Sequence, residues 1–206
     1  MPYSASRLLL LFSGCVVLGV GVALLLTADL GSDGYSTLVN GFSLGVDISF
    51  WTANVIIGVT FVAAAAARRV YPGLGTIVQV VVVGGTVSIM LDVLSTPDGL
   101  FARILVLALA FPVLAAGIAA YLGSKTGAGP TEAAALAWDP PLPFKWSYSL
   151  VQGGGALVGW LLGATIGVGT IAVIVLLGPM VDLFSRLFRL DVHQRAEAVA
   201  EPDPMP

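Results

Sequence analysis

Charge is what this chain has least of. Only 10% of its 206 residues are Asp, Glu, Lys or Arg, while 57% are hydrophobic and the mean hydropathy is +0.97. A soluble domain carries about 25% charged residues, and a fold of this size cannot cover its surface with so few. The chain is therefore expected in lipid, which excludes a soluble enzyme and a disordered regulator. Nine Lys and Arg against twelve Asp and Glu are also the wrong balance for nucleic acid. Cysteine is nearly absent. Cys15 alone permits neither a disulfide framework nor a thiolate metal cluster. Histidine is reduced to His193, in a C-terminal stretch without apolar periodicity, so the apolar segments hold no imidazole. No P-loop, H-E-x-x-H or G-x-S-x-G arrangement occurs. No enzyme, cofactor or metal is expected.

Long apolar runs are what the chain has instead. A bilayer-crossing helix needs about 20 mainly apolar residues, and six stretches qualify: 7–27, 49–67, 75–95, 102–123, 146–164 and 168–188. The breaks carry Arg68-Arg69 with Pro72, Ser95 to Asp98, the Pro140-Pro141-Leu142-Pro143 run, and Gly163 to Gly167. Residues 191–206 read as a mobile tail. With the N-terminus inside, Arg7, Arg68, Arg69, Lys125, Lys145, Arg186, Arg189 and Arg195 fall on the cytoplasmic side and only Arg103 outside. That bias predicts six spans with both termini on the cytoplasmic side of the membrane. Phe12-Ser13-Gly14-Cys15 resembles an acylated lipoprotein signal, but the apolar run continues past Cys15. A small buried residue is the better reading.

The chain repeats itself. A shift of 96 residues puts Arg7 on Arg103, Leu18 on Leu114, Gly21 on Gly117 and Gly31 on Gly127. With two one-residue gaps, Trp51 falls on Trp146, and Gly73-Leu74-Gly75-Thr76-Ile77 on Gly167-Val168-Gly169-Thr170-Ile171. Two repeats follow, 1–96 and 97–190, each with three spans. Because three is odd, the second copy enters the membrane upside down. The expected fold is all-α: six transmembrane helices as two inverted three-helix repeats, an architecture transporters use with the substrate near the midplane.

After its first span each copy has a long polar connection, 28–48 and 124–145. In the first, Asp33 suits a helix cap before a short helix over 35–44. In the second, Pro130 sits at a first helical position with Glu132 in the first turn. At about ten residues each, too short to span, these pieces read as re-entrant or interfacial half-helices. Their N-termini suit an anionic or strongly polar solute. Candidate substrate-binding residues are Asp33, Tyr35, Ser36, Asn40, Thr131 and Glu132, with Asn54 and Gln152 from the spans. Asp92, without a local cation in sequence, is the ion-coupling candidate. Asp182 is spaced to pair with Arg186. Gly155, Gly159, Gly163 and Gly167 recur every four residues, a face for close helix packing or for a homodimer or membrane partner.

The glycine-led segments Leu30-Gly31, Leu38-Val39-Asn40-Gly41-Phe42-Ser43 and Gly127-Ala128-Gly129-Pro130 resemble the YczE-like family of bacterial integral membrane proteins. So do the blocks Pro72-Gly73-Leu74-Gly75-Thr76 and Gly159-Trp160-Leu161-Leu162-Gly163 with Gly167-Val168-Gly169-Thr170. The resemblance spans residues 7–188 and implies a multi-spanning membrane protein, often taken for a transporter, without a known substrate. The family commonly has Pro-Trp where this chain has Gly34-Tyr35, and Arg-Asp-Gly where it has Thr131-Glu132-Ala133. If that arginine reads a ligand in relatives, its absence here implies a different solute. The expected function is transport of a small polar or anionic solute from the lipid-embedded repeat interface. A non-transporting scaffold and a passive channel are the alternatives.

Overall fold

Short polar side chains set where the first three helices begin. The computed structural model describes residues 4–192, and among them every regular element is helical. Ser4 accepts the Arg7 N–H and opens α1, Ala5–Ala28. Asp33 accepts the Ser36 N–H at 3.1 Å and opens α2, Gly34–Val46. Ser49 does the same through Thr52 for α3, Phe50–Ala67. Each cap satisfies an N–H that a helix start leaves without an internal partner, and is worth about 1 kcal/mol. The chain continues with α4, Leu74–Val93; α5, Leu100–Gly123; α6, Pro130–Leu136; α7, Phe144–Leu161; and α8, Val168–Leu187, which contains a π-helical turn at Val173–Leu177. The two short helices after the first spans are unequal, thirteen residues in α2 and seven in α6. His193 and most of the expected tail lie outside the described residues.

Four helices, α1, α4, α5 and α8, are long and apolar enough to cross a membrane. α3 is a shorter apolar helix, and α7, at eighteen residues, includes Lys145, Ser147, Ser149 and Gln152. The expectation of six full spans is thus met by four. The remaining two, α3 and α7, are short or partly polar and pack beside α2 and α6. α4 shows what the long helices face. Ile77, Val81, Ile89 and Val93 are 67%, 66%, 63% and 73% exposed, an apolar surface that water does not tolerate and hydrocarbon does.

The centre of the molecule is the seam between α1 and α5. A Cβ on Gly21 would meet the Leu114 nitrogen at 2.7 Å, and one on Gly117 would meet Leu18. Gly14 likewise abuts Tyr121, so numbers rise on one helix as they fall on the other and the two run antiparallel. Leu11, Cys15, Leu18, Leu25, Ile118 and Tyr121 fill the core along this seam. Cys15 is fully buried, as a small apolar residue would be. α4 packs on α1 and α8 on α5, while α2 and α6 each pack on both α3 and α7. One pair of matched helices differs: α7 packs along α8, whereas α3 and α4 share no packing seam.

The connections cross between the halves. Gly31 and Gly127 have φ of +121° and +120°, a conformation that a side chain would strain. Each then lies against the opposite half's closing block. Gly169 N–H donates to Leu30 C=O at 2.7 Å, and Gly75 N–H donates to Thr126 C=O at 2.8 Å. Thr76 and Thr170 accept the N–H groups of Gly73 and Gly167, which begins α4 and α8 in the same way. The glycine face of α7 is also consumed internally. Gly155 lies against the Gly34 carbonyl and Gly159 against that of Thr37, so α2 occupies the groove. The expectation of a homodimer or membrane partner on the Gly155/Gly159/Gly163 face is corrected accordingly. Only Gly163, beyond the end of α7, is exposed, and a lone glycine offers no groove.

Candidate functional site

The gap between α3 and α4 opens into a cavity of about 740 Å³ between the two halves of the chain. That volume suits a small organic molecule. Most of its wall is hydrocarbon: Leu18 and Val22 of α1, Val55, Val59 and Val62 of α3, Val80 and Val83 of α4, and Leu114 and Ile118 of α5. Its polar groups come from the N-terminal turns of α2 and α6 and from α3, α4 and α7.

The polar groups are tied together across the halves. The Tyr35 N–H donates to Gln152 Oε1 at 3.1 Å, and Gln152 Nε2 donates to the Tyr148 hydroxyl at 3.0 Å. The Tyr35 hydroxyl donates to Asn54 Oδ1 at 3.0 Å, and its ring meets Phe61 edge-on at 5.6 Å. Asp33 is held by its own helix, accepting from the Ser36 N–H and from the Ser36 hydroxyl at 2.6 Å. Glu132 sits differently. It is 4% exposed, and its Oε2 has no hydrogen-bond partner. A buried oxygen left unpaired costs about 1–3 kcal/mol, more when charged. The Tyr121 hydroxyl, which accepts the Gly129 N–H at 3.3 Å, lies beside the same carboxyl. Gln79 of α4 crowds it from the other half: a Cβ on Gly129 would stand 2.8 Å from Gln79 Oε1 and 2.9 Å from Glu132 Oε2.

The structure brings Asp33, Tyr35, Ser36, Asn54, Thr131, Glu132 and Gln152 to this one cavity. It does not bring Asn40, which is exposed on the outer face of α2 beyond the cavity wall. Asp92 is exposed in the last turn of α4, also away from the lining. The sequence did not single out Tyr148, Thr76 or Gln79 as site residues. Their signal was weak, because a hydroxyl or amide in an apolar helix is ordinarily spent on a neighbouring helix.

The geometry also bears on the solute's charge. An anion at the start of α2 needs free N–H groups, but those of Tyr35, Ser36 and Thr37 are taken by Gln152, Asp33 Oδ2 and the Asp33 carbonyl. α6, with seven residues, is too short to add a helix-terminus site of its own. The lining includes two carboxylates, Asp33 and Glu132, and no Lys, Arg or His. An anion would thus meet neither a basic side chain nor the N–H groups of Tyr35, Ser36 and Thr37 here. Among the described residues no cluster of His, Cys, Asp and Glu has metal-ligand spacing.

Long helices with hydrocarbon-facing surfaces, wrapped around an interior cavity, define an integral membrane protein of the helical class. The chain belongs to a family of unknown function, DUF6198, whose model matches residues 5–186. It is similar to an uncharacterized protein of Haemophilus influenzae, 26% identical over 172 residues that cover 82% of this chain and 78% of that one. It is also similar to the uncharacterized membrane protein YczE of Bacillus subtilis, 26% identical over 212 aligned positions covering 94% of each. This agrees with the resemblance carried by the loop glycines. No solved structure matches the chain.

Proposed function

We propose that the protein is a transporter that carries a small polar solute across the bacterial cytoplasmic membrane. The cavity between the halves is its site, and Glu132 is its principal binding group. The observation that carries this is the unpartnered, buried Glu132 oxygen at a cavity of solute size. A protein gains nothing in stability from such a group, so an arriving solute is its natural partner. The reading treats the two halves as inverted repeats of three spans, with α2 and α6 as half-helices. Support comes from the antiparallel α1–α5 seam, the matched glycines and the crossed connections. The open α3–α4 gap and the closed α7–α8 seam are unequal arrangements of matched parts, as one state of an alternating-access carrier requires. Both termini are assigned to the cytoplasm on the basic-residue bias.

The test uses proteoliposomes incubated in a small-molecule extract of bacterial cells, with the trapped contents identified by mass spectrometry. The expected result is saturable enrichment of a polar solute, abolished by Glu132→Gln and reduced by Asp33→Asn while folded yield is kept. Equal contents in wild-type, variant and protein-free vesicles would overturn the reading.

A further inference from the structure

We infer that the solute is an amphiphilic organic cation, an ammonium head on a compact apolar body; this rests on the cavity being the transport site. Three observations carry it. The carboxylates of Asp33 and Glu132 meet a lining without a basic side chain, so the local field favours positive charge. Glu132 Oε2 lies unpartnered, and Gln79 Oε1 stands on the same side of Gly129, so two oxygens that can accept face one spot. An ammonium group supplies three N–H donors and one positive charge, which answers both needs. The remaining wall is aliphatic and leads through the α3–α4 gap toward the hydrocarbon-facing side, where Val59 and Val80 are 63% and 54% exposed while lining the cavity. An apolar body placed there keeps contact with hydrocarbon while its head reaches Glu132. A fully hydrated inorganic cation would leave that wall unused, and an anion would face two carboxylates.

Equilibrium dialysis with the full chain in lipid nanodiscs tests this, using radiolabelled octylammonium, octanoate and ethylammonium with protein-free nanodiscs as background. Octylammonium is expected to bind once per chain, about tenfold or more tighter than octanoate or ethylammonium. Glu132→Gln should weaken it about tenfold, and Glu132→Asp, which keeps the charge, should recover part of the loss. Octanoate binding as tightly as octylammonium overturns the charge assignment, and equal binding of ethylammonium overturns the apolar body. Unchanged octylammonium binding by a Glu132→Gln variant of unaltered melting temperature overturns the site. Selective octylammonium binding without any vesicle uptake would sink the transport reading and leave this one standing. Glu132-dependent uptake of an anion would do the reverse.

Discussion

At the scale of single residues, some charged groups finish helices, while Glu132 lies buried with one oxygen unpartnered. Arg103 is the one basic residue that the orientation argument places outside, and its work is local. Its Nε donates to Ala28 C=O at 2.8 Å, and its Nη2 donates to the Asp29 carbonyl and pairs with Asp29 Oδ2 at 2.7 Å. It thereby neutralises the C-terminal end of α1, where carbonyls lack N–H partners. Arg103→Ala should lower stability by about 1 kcal/mol, and Lys should not restore it, since one ammonium cannot reproduce the guanidinium fork. A melting curve in detergent checks both. The Asp182–Arg186 pair, 3.0 Å apart, was legible from its i,i+4 spacing. The special role of Glu132 was legible only as acidity in a first helical turn. Its burial depends on Tyr121 and Gln79, which are distant in sequence and meet it only in the fold. Gly31→Ala and Gly127→Ala should each cost at least about 1 kcal/mol, because both positions require positive φ. Similar losses in melting temperature are expected from this matched pair.

Elements were legible where the signal was local. The boundaries of α1, α4, α5 and α8 follow apolar runs ended by Gly, Pro and charge, and Asp33 announced the start of α2. What failed was the use of the glycine spacing in α7. A four-residue glycine repeat states that a backbone will approach, but not whose, and here it is α2 of the same chain. Gly159→Leu should therefore cost about 3 kcal/mol through forced separation of α2 and α7. The expected readout is loss of folded, monodisperse protein in size-exclusion chromatography. A well-folded variant that merely sheds a partner would contradict the internal packing. α7 is mixed in character: Gln152 is spent on contact with α2, while Leu150, Leu157 and Leu161 lie exposed on its outer face.

At the scale of the whole molecule, the two polar connections cross between the halves. Gly31 rests on the Gly167 block and Gly127 on the Gly73 block. Neither half closes its own loop, so the cavity exists only when both halves are present. Periodicity could not reveal this, because which copy a loop crosses to is settled by packing between segments far apart in the chain. A cavity that serves as a transport site must be reachable by small solutes, and here Glu132 would set its field. Thr131, 9% exposed and lining the cavity, is the place to read that field. With Cys15→Ala removing the native thiol, Thr131→Cys reports the relative rates of a cationic and an anionic methanethiosulfonate reagent of similar size. The rates are normalised to an exposed cysteine on α4. The expected result is modification by both reagents with a clear preference for the cation, a preference that falls about tenfold when Glu132→Gln is added. A cysteine that neither reagent reaches, or a preference unmoved by Glu132→Gln, would contradict it.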